Sequence, residues 1–196
     1  MKLGIADPEF MNISTSDGEV FIGGSQEWYE NNWHRKSGCG PVAASNIAWY
    51  VMRKRGTKQE YIELINKMYG FITPSIRGVD TSAVFVNGLL SFASKNGMTI
   101  TPQVLEIPKK KHERPDISTL KEFIINALNT DSPVAFLNLS NGTLSNLENW
   151  HWVTIIAIDP ETMITEVIDY GKSLKIDISE WLETSILGGS LVYFIL

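Results

Sequence analysis

The apolar residues of this 196-residue chain change their period partway along it. Val42, Ala43, Ala44, Ile47, Ala48, Val51 and Met52 recur as one broad helical stripe, which Gly56 closes. Thr57 caps a second helix through Tyr61, Leu64, Ile65 and Met68. Asp80 or Thr81 starts a third, through Val84, Phe85, Leu89, Leu90 and Phe92, ending at Asn96-Gly97. Asp116 or Ser118 starts a fourth, through Leu120, Phe123, Ile124 and Leu128. Beyond it, Val134–Leu139, Trp150–Ile158, Met163–Tyr170, Ser173–Ile178 and Leu191–Leu196 are β-branched or aromatic runs separated by turn residues, which reads as strands. Helices first and strands later imply an α+β fold with a mostly antiparallel sheet, not alternating βαβ units.

The length suits one domain. Residues 1–10 stand apart, because Ala6-Asp7-Pro8-Glu9-Phe10 reads like the translation of two adjacent cloning sites. The expectation is a cloning-derived leader over 1–10 and a single domain over 11–196. Seventeen basic against 22 acidic side chains leave a net charge of −5, which argues against a nucleic-acid partner. Apolar runs such as Val153–Ile158 fall far short of the roughly 20 residues of a membrane helix. Met1–Phe10 lacks the apolar stretch of a secretory signal, so a cytoplasmic location is expected, or a secreted one if an upstream segment has been removed. Oligomeric state is open. The run Lys109-Lys110-Lys111-His112-Glu113-Arg114, between a strand and a helix, is a solvated loop or a docking patch for an acidic partner.

Several motifs fail on context. Gly171-Lys172-Ser173 ends like a phosphate-binding loop, but Glu166 stands where the first glycine is required. Gly38-Cys39-Gly40-Pro41-Val42-Ala43 fits a loose dinucleotide-binding pattern, yet Trp33-His34-Arg35-Lys36-Ser37 before it is no buried strand. No cofactor is implied. With one cysteine and three histidines a Cys/His metal site is not expected either.

That one cysteine, Cys39, sits between two glycines, where the backbone turns tightly and a substrate chain can approach. Pro41 follows, a residue favoured in a first helical turn. The thiol therefore stands at the N-terminal mouth of a helix, where unpaired N–H groups and the helix dipole favour thiolate over thiol. The alternative is a small buried hydrophobe. A nucleophilic thiolate needs an imidazole beside it. His151 opens a strand; His34 and His112 lie in polar loop sequence, with His34 a rival by proximity. A third group must orient the imidazole. Asp169 shares a strand face with His151 only if the hairpin between them has an odd loop; an even loop would set Trp152 against Asp169. Otherwise Asp169 caps the turn into Tyr170-Gly171.

Together, Gly38-Cys39-Gly40-Pro41-Val42-Ala43-Ala44, His151-Trp152-Val153 and Val167-Ile168-Asp169 resemble the papain-like cysteine peptidases, nearest to the bacterial double-glycine (bacteriocin leader) peptidases and their relatives. The resemblance covers most of Gln26–Gly171. It implies a papain-like fold, with a helical half that carries the nucleophile at a helix N-terminus packed on a C-terminal antiparallel sheet. It also implies a Cys39–His151–Asp169 triad acting on a peptide or protein substrate. The family adds an upstream glutamine as oxyanion donor, in many members six residues before the cysteine, where this chain has Trp33. Gln26, 13 residues before Cys39, matches the longer-spaced relatives, with Asn32 in reserve. Trp28, Trp33, Trp150 and Trp152 bracket these segments, as walls for an extended peptide or as ordinary packing. Hydrolysis through a thioester is the leading expectation. The alternatives are acyl transfer of the transglutaminase type on the same fold, and a peptide-binding module without catalysis.

Overall fold

The computed structural model describes residues Met1–Leu196. Its first half contains β1 (Leu3–Gly4), β2 (Asn12–Ser14), β3 (Val20–Ile22), α1 (Asn32–Ser37), α2 (Cys39–Val51), β4 (Gly56–Thr57), α3 (Lys58–Phe71) and α4 (Ser82–Lys95). There follow β5 (Thr101–Ile107), α5 (Ile117–Asn129), β6 (Val134–Asn138), β7 (His151–Ile158), β8 (Ile164–Asp169), β9 (Lys172–Asp177), α6 (Ile178–Thr184) and β10 (Gly189–Ile195).

The main sheet runs β5-β10-β6-β7-β8-β9, antiparallel at every step. The fold is α+β, as the change of period implies. The N-terminal helices pack on one face of the sheet, and further helices cover the other. Strands β6 and β7 are buried along their whole length, so both faces must be covered. Alternation divides them: Ala135, Leu137, Trp152, Val192 and Phe194 pack under α2, α3 and α4. Val134, Phe136, Val153, Ile155, Leu191 and Tyr193 pack under α5 and α6. The sheet is thus the middle layer, and α2 is enclosed so fully that every residue from Cys39 to Tyr50 is buried.

Local signals place the helix starts. Thr57 and Glu60 form a reciprocal capping box on α3. Of the paired alternatives, Thr81 caps α4 and Asp116 caps α5 through its bond from Thr119 N–H at 2.8 Å. Helices α1 and α6 have six and seven residues, too short for periodicity to reveal. A small second sheet, β3-β2-β4, accounts for residues 12–22.

Residues 1–10, which read as a leader, are joined to the domain. Leu3 and Gly4 pair with Ile158 and Ala157, extending the place of β6 beside β7. Ile5 is buried, and the Ala6 N–H donates to Asp131 Oδ1 at 2.7 Å. The basic run is a structured loop: the Arg114 guanidinium donates to the carbonyls of Pro108, Lys109 and, in α6, Leu182. No helix is long and apolar enough to cross a membrane.

Candidate active site

Cys39 is the first residue of α2, and Gly38 caps that helix with no side chain to satisfy the first-turn N–H groups. Both flanking glycines are required by crowding. A Cβ on Gly38 would lie 2.4 Å from the Tyr29 ring and 2.5 Å from the His34 carbonyl. One on Gly40 would lie 2.9 Å from the Val79 side chain. The thiol is buried to 7% exposure, at the junction of the cleft and an inner crevice lined by Gly24, Gln26, His151 and Asp169.

His151 comes from the start of β7, after Trp150 has turned the chain through a left-handed conformation (φ 56°). Its Nε2 lies 2.7 Å from Asp169 Oδ1, with the His151 and Asp169 side chains only 5% and 10% exposed. With Nε2 taken by Asp169, Nδ1 is the nitrogen left to serve Cys39. Burial opposes charge on the ring, but hydrogen bonds to Asp169 and to Cys39 outweigh it, and the imidazole is raised to about 10. The Tyr170 ring stacks on that of His151, with centroids 5.5 Å apart and planes 15° apart.

The hairpin joining His151 and Asp169 does not have the odd loop that an unbroken ladder requires to pair them. Near the turn, Ile158 faces Thr165 and Ala157 faces Glu166, so odd residues oppose even ones. That register would set Asp169 across from Thr154. The pairing shifts between Ile155 and Ala157; beyond it Ile155 faces Val167 and Thr154 faces Ile168. The bulge at Ile156 consumes one residue and restores like parity, which carries Asp169 opposite Val153 and diagonal to His151.

Gln26 reaches the site through backbone docking. Gly171 exchanges bonds with the segment before it: Ile22 N–H donates to the Gly171 carbonyl at 3.0 Å, and Gly171 N–H to the Gly24 carbonyl at 2.9 Å. Ser25 then caps the short helical turn Gln26–Trp28. Gln26 Nε2 donates to the Tyr170 hydroxyl at 3.3 Å, leaving its second N–H unengaged. Tyr170 donates onward to Glu148 Oε2 at 3.0 Å. Burial first, and the Glu148 carboxylate next, push the Tyr170 hydroxyl upward, so it remains a donor.

Asn46, in the second turn of α2, holds this assembly from behind. Its Oδ1 accepts from Gly24 N–H at 2.9 Å and Tyr61 OH at 2.6 Å, and its Nδ2 donates to Thr154 Oγ1 at 3.0 Å. One side chain therefore ties the helix of Cys39 to the Gln26 loop and to the strand of His151.

Cys39, His151, Asp169 and Gln26 thus converge. Asn32 does not: it is exposed on α1, where its Oδ1 accepts from Arg35 at 3.5 Å. His34 stacks on Tyr69 at 3.8 Å and lines neither the cleft nor the crevice, and His112 is exposed beside Glu113. Trp33 and Trp150 line the cleft. Trp28 and Trp152 are packing residues; Trp152 stacks on Phe85. Sequence reasoning missed Tyr170, Glu148 and Asn46. A polar residue inside the apolar stripe of α2 was a legible signal for Asn46, whereas nothing local marked the other two. No group of three or more histidine, cysteine or carboxylate side chains converges in a way that would hold a metal ion.

The arrangement sets a cysteine thiol at a helix start, an imidazole whose charged form is favoured, a carboxylate bonded to that imidazole, and the Gln26 side-chain amide around one crevice. A cleft of about 670 Å³ opens onto it. No protein-family model matches the chain, and no curated protein matches it.

Proposed function

We propose that this chain is a thiol-dependent hydrolase of peptide or amide bonds, papain-like in fold and in its Cys39–His151–Asp169 triad. The observation that carries the reading is His151, buried, bonded to Asp169 at 2.7 Å and lining one crevice with Cys39 and Gln26. The attacking form in this reading is the thiolate, which an adjacent imidazolium supports.

The Cys39 sulfur adds to the substrate carbonyl carbon. The carbonyl oxygen takes the negative charge and receives hydrogen bonds from Gln26 Nε2 and the Cys39 backbone N–H. As the C–N bond breaks, His151 gives its proton to the leaving amine, and a thioester remains. Water then adds to the thioester while the neutral imidazole takes its proton. The C–S bond breaks, acid is released, and the imidazolium–thiolate pair is restored. Asp169 keeps Nδ1 directed at sulfur throughout, the orienting role of the third member of a triad.

Iodoacetamide tests the reading. An ion-paired Cys39 is alkylated rapidly at pH 6, whereas a buried neutral thiol reacts slowly, and slow reaction rejects the proposal. The fate of the acyl group is then read by offering a trapped thioester water alone or water with added amines. Preferential capture by millimolar amine would replace hydrolysis with acyl transfer.

A further inference from the structure

At the rim of the cleft stands the turn Ser75-Ile76-Arg77-Gly78. It is closed by two backbone bonds of 2.9 Å between Ser75 and Gly78. The Ser75 hydroxyl adds a bond to the Gly78 carbonyl at 3.1 Å and accepts from Arg77 N–H at 3.0 Å. The next residue, Val79, roots the turn on both catalytic segments. Its side chain lies against Gly40, and its carbonyl accepts from the Trp152 indole at 2.6 Å.

This stiff turn holds up an isoleucine that is 90% exposed, the least covered apolar side chain after Met1. Trp33 and Trp150, 45% and 49% exposed, line the same cleft. An apolar tip held by a closed turn, in the same cleft as two half-exposed indoles, offers a surface for an apolar side chain at little entropic cost. Lys36 and Arg77 also line the cleft, both exposed and in no ion pair. Apart from the triad, its one carboxylate is Glu148, which accepts from Tyr170. The lining of the cleft thus carries Lys36 and Arg77 against Glu148, in a chain of net charge −5.

We infer that the cleft selects peptides in which an apolar side chain is flanked by a carboxylate. The apolar group packs among Ile76, Trp33 and Trp150, and the carboxylate lies between Lys36 and Arg77. The inference rests on Cys39 being the nucleophile of the proposed function.

Chloromethyl ketones of acetyl-Glu-Phe-Gly, acetyl-Gln-Phe-Gly and acetyl-Lys-Phe-Gly test it, together with the set in which the first two residues are exchanged. An exposed charge pair changes affinity by about 1.4- to 5-fold. With attraction for one probe and repulsion for the other, the Glu probe should alkylate Cys39 about tenfold faster than the Lys probe at low salt, in at least one placement. The ratio should shrink in high salt and reverse in the Lys36→Glu/Arg77→Glu double variant. Replacing Phe by Ser in the probe should slow capture, and Ile76→Asp should narrow the Phe-over-Ser preference. Equal rates for the Glu and Lys probes, or a Lys preference, overturn the inference and leave the thiol chemistry standing. Failure of iodoacetamide and of every probe to alkylate Cys39 overturns the proposed function, and the inference with it.

Discussion

His151 and Asp169 meet at 2.7 Å across a hairpin whose turn has the wrong parity to bring them together, and the bulge at Ile156 is what corrects it. A bulge shifts every side chain beyond it to the other face of the ladder relative to its partner strand. On the turn side of Ile156 the strands pair for packing, with Ile158 against Thr165. On the other side the same strands bring His151 and Asp169 together. The bond is shielded by the Tyr170 ring, so it forms where water competes weakly and a charge-assisted contact is strong.

The bonds that His151 makes set the pH behaviour. The folded-state imidazole is raised to about 10, burial opposing the charge and the bonds to Asp169 and Cys39 favouring it. Below that pH the ring is charged and can protonate the leaving amine; above it the ring is neutral and cannot. Cleavage of a Glu-Phe-Gly aminocoumarin amide should therefore fall as pH rises through about 10. Asp169→Asn removes one of the two groups that raise the ring, so the alkaline limb should move down by about 1–3 pH units. A limb that stays in place would show that Asp169 does not hold the charge.

Gln26 and Asn32 are separated by two measurements. Gln26→Ala should lower amide cleavage by about 10²–10³-fold, because an oxyanion donor is lost. Alkylation by iodoacetamide creates no oxyanion and should change by less than about twofold. Asn32→Ala should alter neither. Equal loss in both assays for Gln26→Ala would mean that the residue supports the thiol pair instead.

Tyr170→Phe keeps the ring that stacks on His151 and deletes the hydroxyl that links Gln26 to Glu148. The expected result is a fall of about tenfold in kcat, the worth of one hydrogen bond to a charged network, with KM and the alkaline limb unmoved. A shifted limb would instead assign Tyr170 to the His151 charge.

Asn46→Ala would strand Tyr61 OH, Thr154 Oγ1 and Gly24 N–H without the partners that Asn46 supplies. The destabilisation should be about 2–4 kcal/mol in urea unfolding at unchanged m-value. A loss below about 0.5 kcal/mol would show that the three groups find other partners.

Much of this was local and therefore readable. Thr57 with Glu60, Thr81 and Asp116 announce helix starts because a cap is a bond between neighbours in sequence. Cys39 between glycines before Pro41, and His151 ahead of an apolar run, declare a thiol at a helix start and an imidazole at a strand start. Asp169 could be read only conditionally, since its face depends on register. Short α1 and α6 gave no periodic signal, and Gln26, Tyr170 and Glu148 carry no pattern that links them.

By itself the sequence determined where the capped, periodic helices and the later strands form and which side chains are candidates for chemistry, because caps, period and residue type are properties of near neighbours. Tertiary structure alone decided that Ile156 bulges, that Gly24 docks beside Gly171, and that a turn at Ile76 overhangs the cleft. Those outcomes depend on register and close packing between segments far apart in the chain, where a shift of one residue exchanges faces and leaves the composition unchanged.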